Sequence, residues 1–148
     1  MTRIPPAALL LTIAGLAPFV LGALMSANIF EPNSYIQYIG TDGRLIMLRY
    51  GVIILCFMSG VLWGFATKAH GTQATACYVL STLPAIWAFL SPGRQADEAL
   101  INLMIGFIAV LILDSAFSRW RLAPEWWMPL RIPVTIVVLI CLALGVWA

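Results

Sequence analysis

Only a handful of side chains in this sequence have chemistry to offer, and most stand alone. Asp114 follows Leu-Ile-Leu inside an apolar run, Arg131 opens the last apolar run, Arg49 lies about one turn into the second, and Asn102 stands near the start of the fourth. An unpaired carboxylate at a bilayer centre costs roughly 2.5 to 3.5 kcal/mol on insertion scales, and less near a helix end. Asp114 is therefore expected to hold a partner, and Arg131 is the natural one, forming a structural ion pair between the fourth and fifth spans. A solvated acid at a helix end and a proton or ion pathway are the other readings of Asp114. Arg49 is within snorkelling reach of the interface, where it pairs locally or contacts a lipid headgroup.

Other chemistry lacks its parts. His70 is the single histidine and has no second His, Cys or acid near it in sequence, so metal or haem ligation is not expected. Cys56, Cys77 and Cys141 each lie in an apolar run, with no CxxC pair. No base is placed in sequence to activate Ser59, Ser81 or a cysteine, and neither a GxSxG nor a phosphate-loop pattern occurs. No enzyme activity and no cofactor is expected.

The elements that must carry these residues are set by composition. Hydrophobic residues make up 62% and charged residues 9%, against roughly 45 to 50% and ~25% in soluble domains, so lipid must act as the solvent. The net charge of +2 is dispersed, which excludes a nucleic-acid surface. Apolar runs of bilayer length predict an all-α, polytopic membrane protein: a single-domain bundle of five transmembrane helices, at about 5–29, 45–66, 73–90, 99–118 and 131–147. The first run exceeds the ~7 to 15 apolar residues of a signal peptide and lacks a convincing cleavage site, so it is expected to be retained.

Prolines and small residues shape these spans. Pro18 should kink the first near its middle, where Ala8, Gly15 and Gly22 recur every seventh residue. Pro32, Gly40 and Gly43 break the following loop, which holds Tyr35 and Tyr38 at headgroup level and includes a candidate interfacial helix. Cys56, Gly60 and Gly64 form a smooth stripe at every fourth residue, and Cys77, Ser81 and Ala85 form another beside Pro84. The two stripes are expected to face each other. Between the last two spans, DSAFSRWRLAPEWWMPLRIP reads as an interfacial connector anchored by Trp120, Trp126 and Trp127, with Pro124, Pro129 and Pro133 holding it outside either helix except at a first turn.

Arg3, Lys68, Arg119, Arg121 and Arg131 fall on one side of such a bundle, and Arg44, Arg49 and Arg94 on the other. This bias places the N-terminus in the cytoplasm and Ala148 on the opposite side.

The strings YGVIILCFMSGVLWG at Tyr50–Gly64, LSTLPAIWAF at Leu80–Phe89, LILDS at Leu111–Ser115 and LAPEWWMPLRIPVTIVVLICL at Leu122–Leu142, with the opening IPPAALLLTIAGLAPF, resemble a family of small proteobacterial inner-membrane proteins. That family is related to mitochondrial transmembrane protein sixty-nine. The resemblance covers nearly the whole chain and implies a multi-span helical protein of a bacterial inner membrane, or of the mitochondrial inner membrane in a eukaryote, with no assigned activity. It also implies a His or Arg where Leu62 stands, so any polar function at that position is absent here. Small-residue stripes, an aromatic connector and the lack of chemistry describe an accessory or assembly subunit of a larger respiratory or photosynthetic complex, with lipids and other membrane subunits as partners. The alternative is a small oligomeric transporter or channel using Asp114, Arg49 and Asn102. An enzyme acting on lipid or quinone lacks paired acids and a His cluster.

Overall fold

Pro6 opens the first helix, where a missing N–H costs nothing because the ladder has not yet begun. The computed structural model describes residues 3–29 and 42–148, and within them it is all-helical. The segments are α1 (Pro6–Gly15), α2 (Ala17–Ser26), α3 (Gly43–Ala66), α4 (Gly71–Leu90), α5 (Ala96–Arg119) and α6 (Trp127–Trp147). Taken together, α1 and α2 make one span of 21 residues, and the described residues contain five helices long and apolar enough to cross a membrane. The loop with Pro32, Tyr35, Tyr38 and Gly40, and any interfacial helix in it, lies outside the described residues.

Each break has a local cause. Pro18 cannot donate to Ala14, so the first span interrupts at Leu16, and the Tyr50 hydroxyl donates to the Gly15 carbonyl beside the break at 2.8 Å. The later helices start a little before their apolar runs do. Asp42 caps α3 by accepting from the Arg44 N–H at 3.0 Å, and Asp97 and Glu98 occupy the first turn of α5, where the helix dipole favours them. Gly43, expected to break helix, is instead the first residue of α3. Pro133 likewise sits inside α6, which begins at Trp127, so the connector is shorter than the sequence suggests. Helix α5 closes with Arg121 left-handed at φ 59° and the Leu122 N–H on the Phe117 carbonyl at 3.0 Å, both side chains packing in one cluster.

The main core gathers Phe19 from α2, Met47 and Leu55 from α3, Leu100 and Phe107 from α5, and Val138 and Leu142 from α6. A smaller cluster beneath the connector holds Leu62, Ala66, Cys77, Phe117 and Leu122. Leu62, at the position where the resemblance implies a polar residue, is fully buried there. Helix α4 packs mainly on α3 and α5 and is the least buried span.

The small-residue stripes require correction. A Cβ added at Gly60 or Gly64 would meet nothing within 4 Å, and Cys56 is exposed, so this stripe faces outward and does not meet the one on α4. The face of α3 turned inward carries Gly51, Leu55, Met58, Ser59, Leu62 and Ala66. Lipid is as apolar as the core, so hydrophobicity does not decide which face goes in, and packing and hydrogen bonds do. On the α4 stripe, Cys77 and Ser81 are buried while Ala85 is half-buried. Close backbone approach occurs instead between Gly22 of α2 and Gly43 of α3.

Ser59 joins α3 to α4 through a bond that the sequence does not advertise. Pro84 disturbs the α4 ladder, and the adjacent Ala85 N–H donates to Ser59 Oγ at 2.9 Å. Ser59→Ala removes this inter-helix acceptor, and thermal unfolding in mild detergent should show a loss of about 1 kcal/mol.

Candidate functional site

The buried polar cluster, toward the connector end of the bundle, is built by helical spacing on α6. Trp127, Arg131 and Thr135 recur every fourth residue, which places them on one face, one turn apart. That face meets Asp114 on α5. Arg131 Nε donates to Asp114 Oδ2 at 3.0 Å, and Trp127 Nε1 donates to Asp114 Oδ1 at 2.9 Å. Asp114 is fully buried and Arg131 is 7% exposed, so both charges sit out of water and must neutralise each other. The guanidinium also lies over the Trp127 ring, 5.9 Å from its centroid.

The two donors leave a remainder. Arg131 Nη2 and Thr135 Oγ1 are buried and have no hydrogen-bond partner among the described residues, and Thr135 is only 1% exposed. Both residues line a cavity of about 330 Å³ beneath the break in the first span. Phe19, Tyr50, Phe107 and Val138 supply much of its wall, and Tyr50 already donates to Gly15. Its outer lip carries Leu11 of α1 and Phe57 of α3, 73% and 65% exposed, so it opens sideways toward lipid. Helix α1 itself buries no residue.

The remaining residues singled out in the sequence are dispersed. Arg49 is exposed, and Asn102 donates to the Ser91 carbonyl at 3.3 Å while its own carbonyl accepts from Trp87 Nε1 at 2.7 Å. Among the described residues no hydrogen bond or ion pair joins Asp114, Arg49 and Asn102 to one another. His70 is exposed at the start of α4. Trp127 corrects its reading as an interfacial anchor: its indole points inward to Asp114 and its ring meets Phe65 edge-on at 5.2 Å. Trp120 is exposed and packs beside Phe117, and Trp126 meets Trp127 edge-on. Lys68 reaches the connector, donating to the Leu122 carbonyl at 3.3 Å. At the other end of the bundle, Arg44 Nη2 donates to the Ala148 carbonyl at 2.8 Å, tying α3 to α6.

Sequence reasoning missed Ser59 and Thr135. For Thr135 the signal was present, because it extends the Trp127 and Arg131 series by one turn.

Comparison with known proteins follows the same outline. The chain is 28% identical to transmembrane protein 69 of Mus musculus over 141 residues, covering 92% of this chain and 54% of the mouse protein. It is 31% identical to transmembrane protein 69 of Xenopus tropicalis over 144 residues, covering 93% of this chain and 53% of the frog protein. The chain thus spans about half the length of these relatives. No solved structure matches it. Residues 4–147 match the family described as protein of unknown function DUF3429, and the chain belongs to that family of membrane-spanning proteins.

Proposed function

We propose that this protein is a non-catalytic subunit, an accessory or assembly partner of a larger respiratory or photosynthetic complex in a bacterial inner membrane. The observation behind this reading is the outward stripe of Cys56, Gly60 and Gly64 on α3. Where side chains are this small, a neighbouring helix can bring its backbone close and gain dispersion contacts along its length, with lipid chains released in exchange. The contacts of Arg131 and Trp127 with Asp114 join α5 to α6, which suits a structural part better than a conduction path. In this reading the N-terminus and the Arg119–Arg131 connector face the cytoplasm, following the bias of basic residues.

The test is substitution on that stripe. A Cβ at Gly60 or Gly64 has open space within 4 Å, so with Gly60→Leu and Gly64→Leu together the isolated protein should keep its thermal stability within about 0.5 kcal/mol. In mild-detergent extracts the wild type should migrate on native gels within a larger assembly, and the double variant as the free chain. A wild type that migrates only as a monomer would overturn the proposal.

A further inference from the structure

We infer that the groove between α5 and the start of α6 is a binding site for one anionic phospholipid, with its phosphate at Arg119 and an acyl chain along Ile112 and Ile132. The groove encloses about 610 Å³. Its α5 wall carries Ile112, Ser115, Ala116 and Arg119, while Met128 and Ile132 of α6 stand across it. Spacings of three and four residues put the α5 members on one face of that helix. Ile112, Arg119 and Ile132 are exposed, as is Trp120 at the connector end of the groove, so the space opens sideways toward lipid and not into the bundle.

Depth along α5 matches the order of groups in such a lipid. Arg119 is the last residue of the helix, and at ~1.5 Å per residue Ser115 lies about 6 Å, and Ile112 about 10 Å, further into the span. A diacyl phospholipid presents phosphate, ester carbonyls and hydrocarbon in that sequence. Ser118 has its hydroxyl sealed inside the fold, whereas Ser115 lines the groove and is half-buried, at the level of the esters. Charge selects the headgroup. Ile4 lies beside Pro129, which puts Arg3 at the connector end too. Outside the mutually neutralising Asp114–Arg131 pair, the described residues of this end set Arg3, Lys68, Arg119 and Arg121 against one acid, Glu125. Such an excess of cations attracts a headgroup with net negative charge, whereas a zwitterionic one brings its own cation to the same place. This inference is independent of the subunit proposal, because the groove lies between α5 and α6 and the Cys56 stripe is on α3.

The experiment measures lipid binding to the full chain in mild detergent by native mass spectrometry. The probes are phosphatidylglycerol, phosphatidylcholine with the same chains, and glycerol phosphate, which has the anion but no chains. Phosphatidylglycerol should bind about fivefold or more tighter than phosphatidylcholine, and Arg119→Gln should remove that preference. Because Arg119 is exposed, this variant should melt with the wild type. Arg121→Gln, two residues beyond the groove, should change the preference by less than about twofold. A phosphatidylglycerol with a diazirine in its acyl chain locates the site without any variant, and on photolysis it should label the peptides holding Ile112 and Ile132. The inference is overturned if phosphatidylcholine or glycerol phosphate binds as tightly as phosphatidylglycerol, or if Arg119→Gln leaves the preference unaltered. It is also overturned if Arg121→Gln costs as much as Arg119→Gln, which would mean a diffuse surface charge, or if the label falls on helices other than α5 and α6.

Discussion

Asp114→Ala is expected to lower stability by about 3 to 5 kcal/mol, enough to unfold much of the protein in mild detergent. The loss does not measure the strength of the pair. Removing the carboxylate strands the Arg131 guanidinium in a dry site where Nη2 already lacks a partner, and it also orphans Trp127 Nε1. Arg131→Gln should be similarly damaging, because it leaves a buried carboxylate with only the indole to stabilise it. The double variant Asp114→Asn with Arg131→Gln, which buries no charge, should lose less than the sum of its parts, with a coupling of about 1 to 3 kcal/mol. Thermal unfolding of the four proteins measures this, and additive losses would mean that the two side chains do not act together.

The second large effect is expected at Gly22. A Cβ there would come within 2.7 Å of the Gly43 carbonyl oxygen and 2.5 Å of Met47 Cγ. The methionine can swing aside, but the carbonyl belongs to the α3 backbone, so α2 and α3 must separate. Gly22→Ala should cost about 1 to 3 kcal/mol, and Gly22→Leu more. Gly60→Ala, with open space around it, should fall within about 0.5 kcal/mol of wild type in the same melting assay. Equal effects at the two glycines would reverse the assignment of inside and outside on these helices.

The contrast between those glycines shows what a membrane sequence reveals and what it conceals. Span number follows from run length, because main-chain groups in lipid must satisfy one another within a helix. The meeting of Asp114 with Arg131 was equally legible: a carboxylate at that depth needs a cation, and Arg131 opens the next span. Facing is harder to read. In water, the apolar side of a helix identifies the core, but in lipid both sides are apolar, so small residues at Cys56, Gly60 and Gly64 did not show which side of the helix turns inward. The Ser59 bond was hidden because it joins two helices beside Pro84, and spacing along one helix does not predict which N–H of its neighbour a serine meets. Trp127 was misread because aromatic residues beside arginines commonly mark an interface, whereas here one indole turns inward to satisfy an acid.

The α3 face holding Cys56, Gly60 and Gly64 lies outside the bundle, and the proposed subunit role requires that a partner cover it in the native membrane. A lipid-dissolved diazirine, photolysed to a carbene, labels side chains that touch lipid whatever their ionisation, and mass spectrometry then locates the label. In liposomes at about one chain per vesicle, Ile53, Cys56 and Phe57 on the outward face should be labelled, with Leu55 and Leu62 protected; in native membranes the same outward residues should be shielded. Equal labelling in both settings would contradict the partner, and protection of Cys56 in isolated chains would contradict the fold's choice of faces.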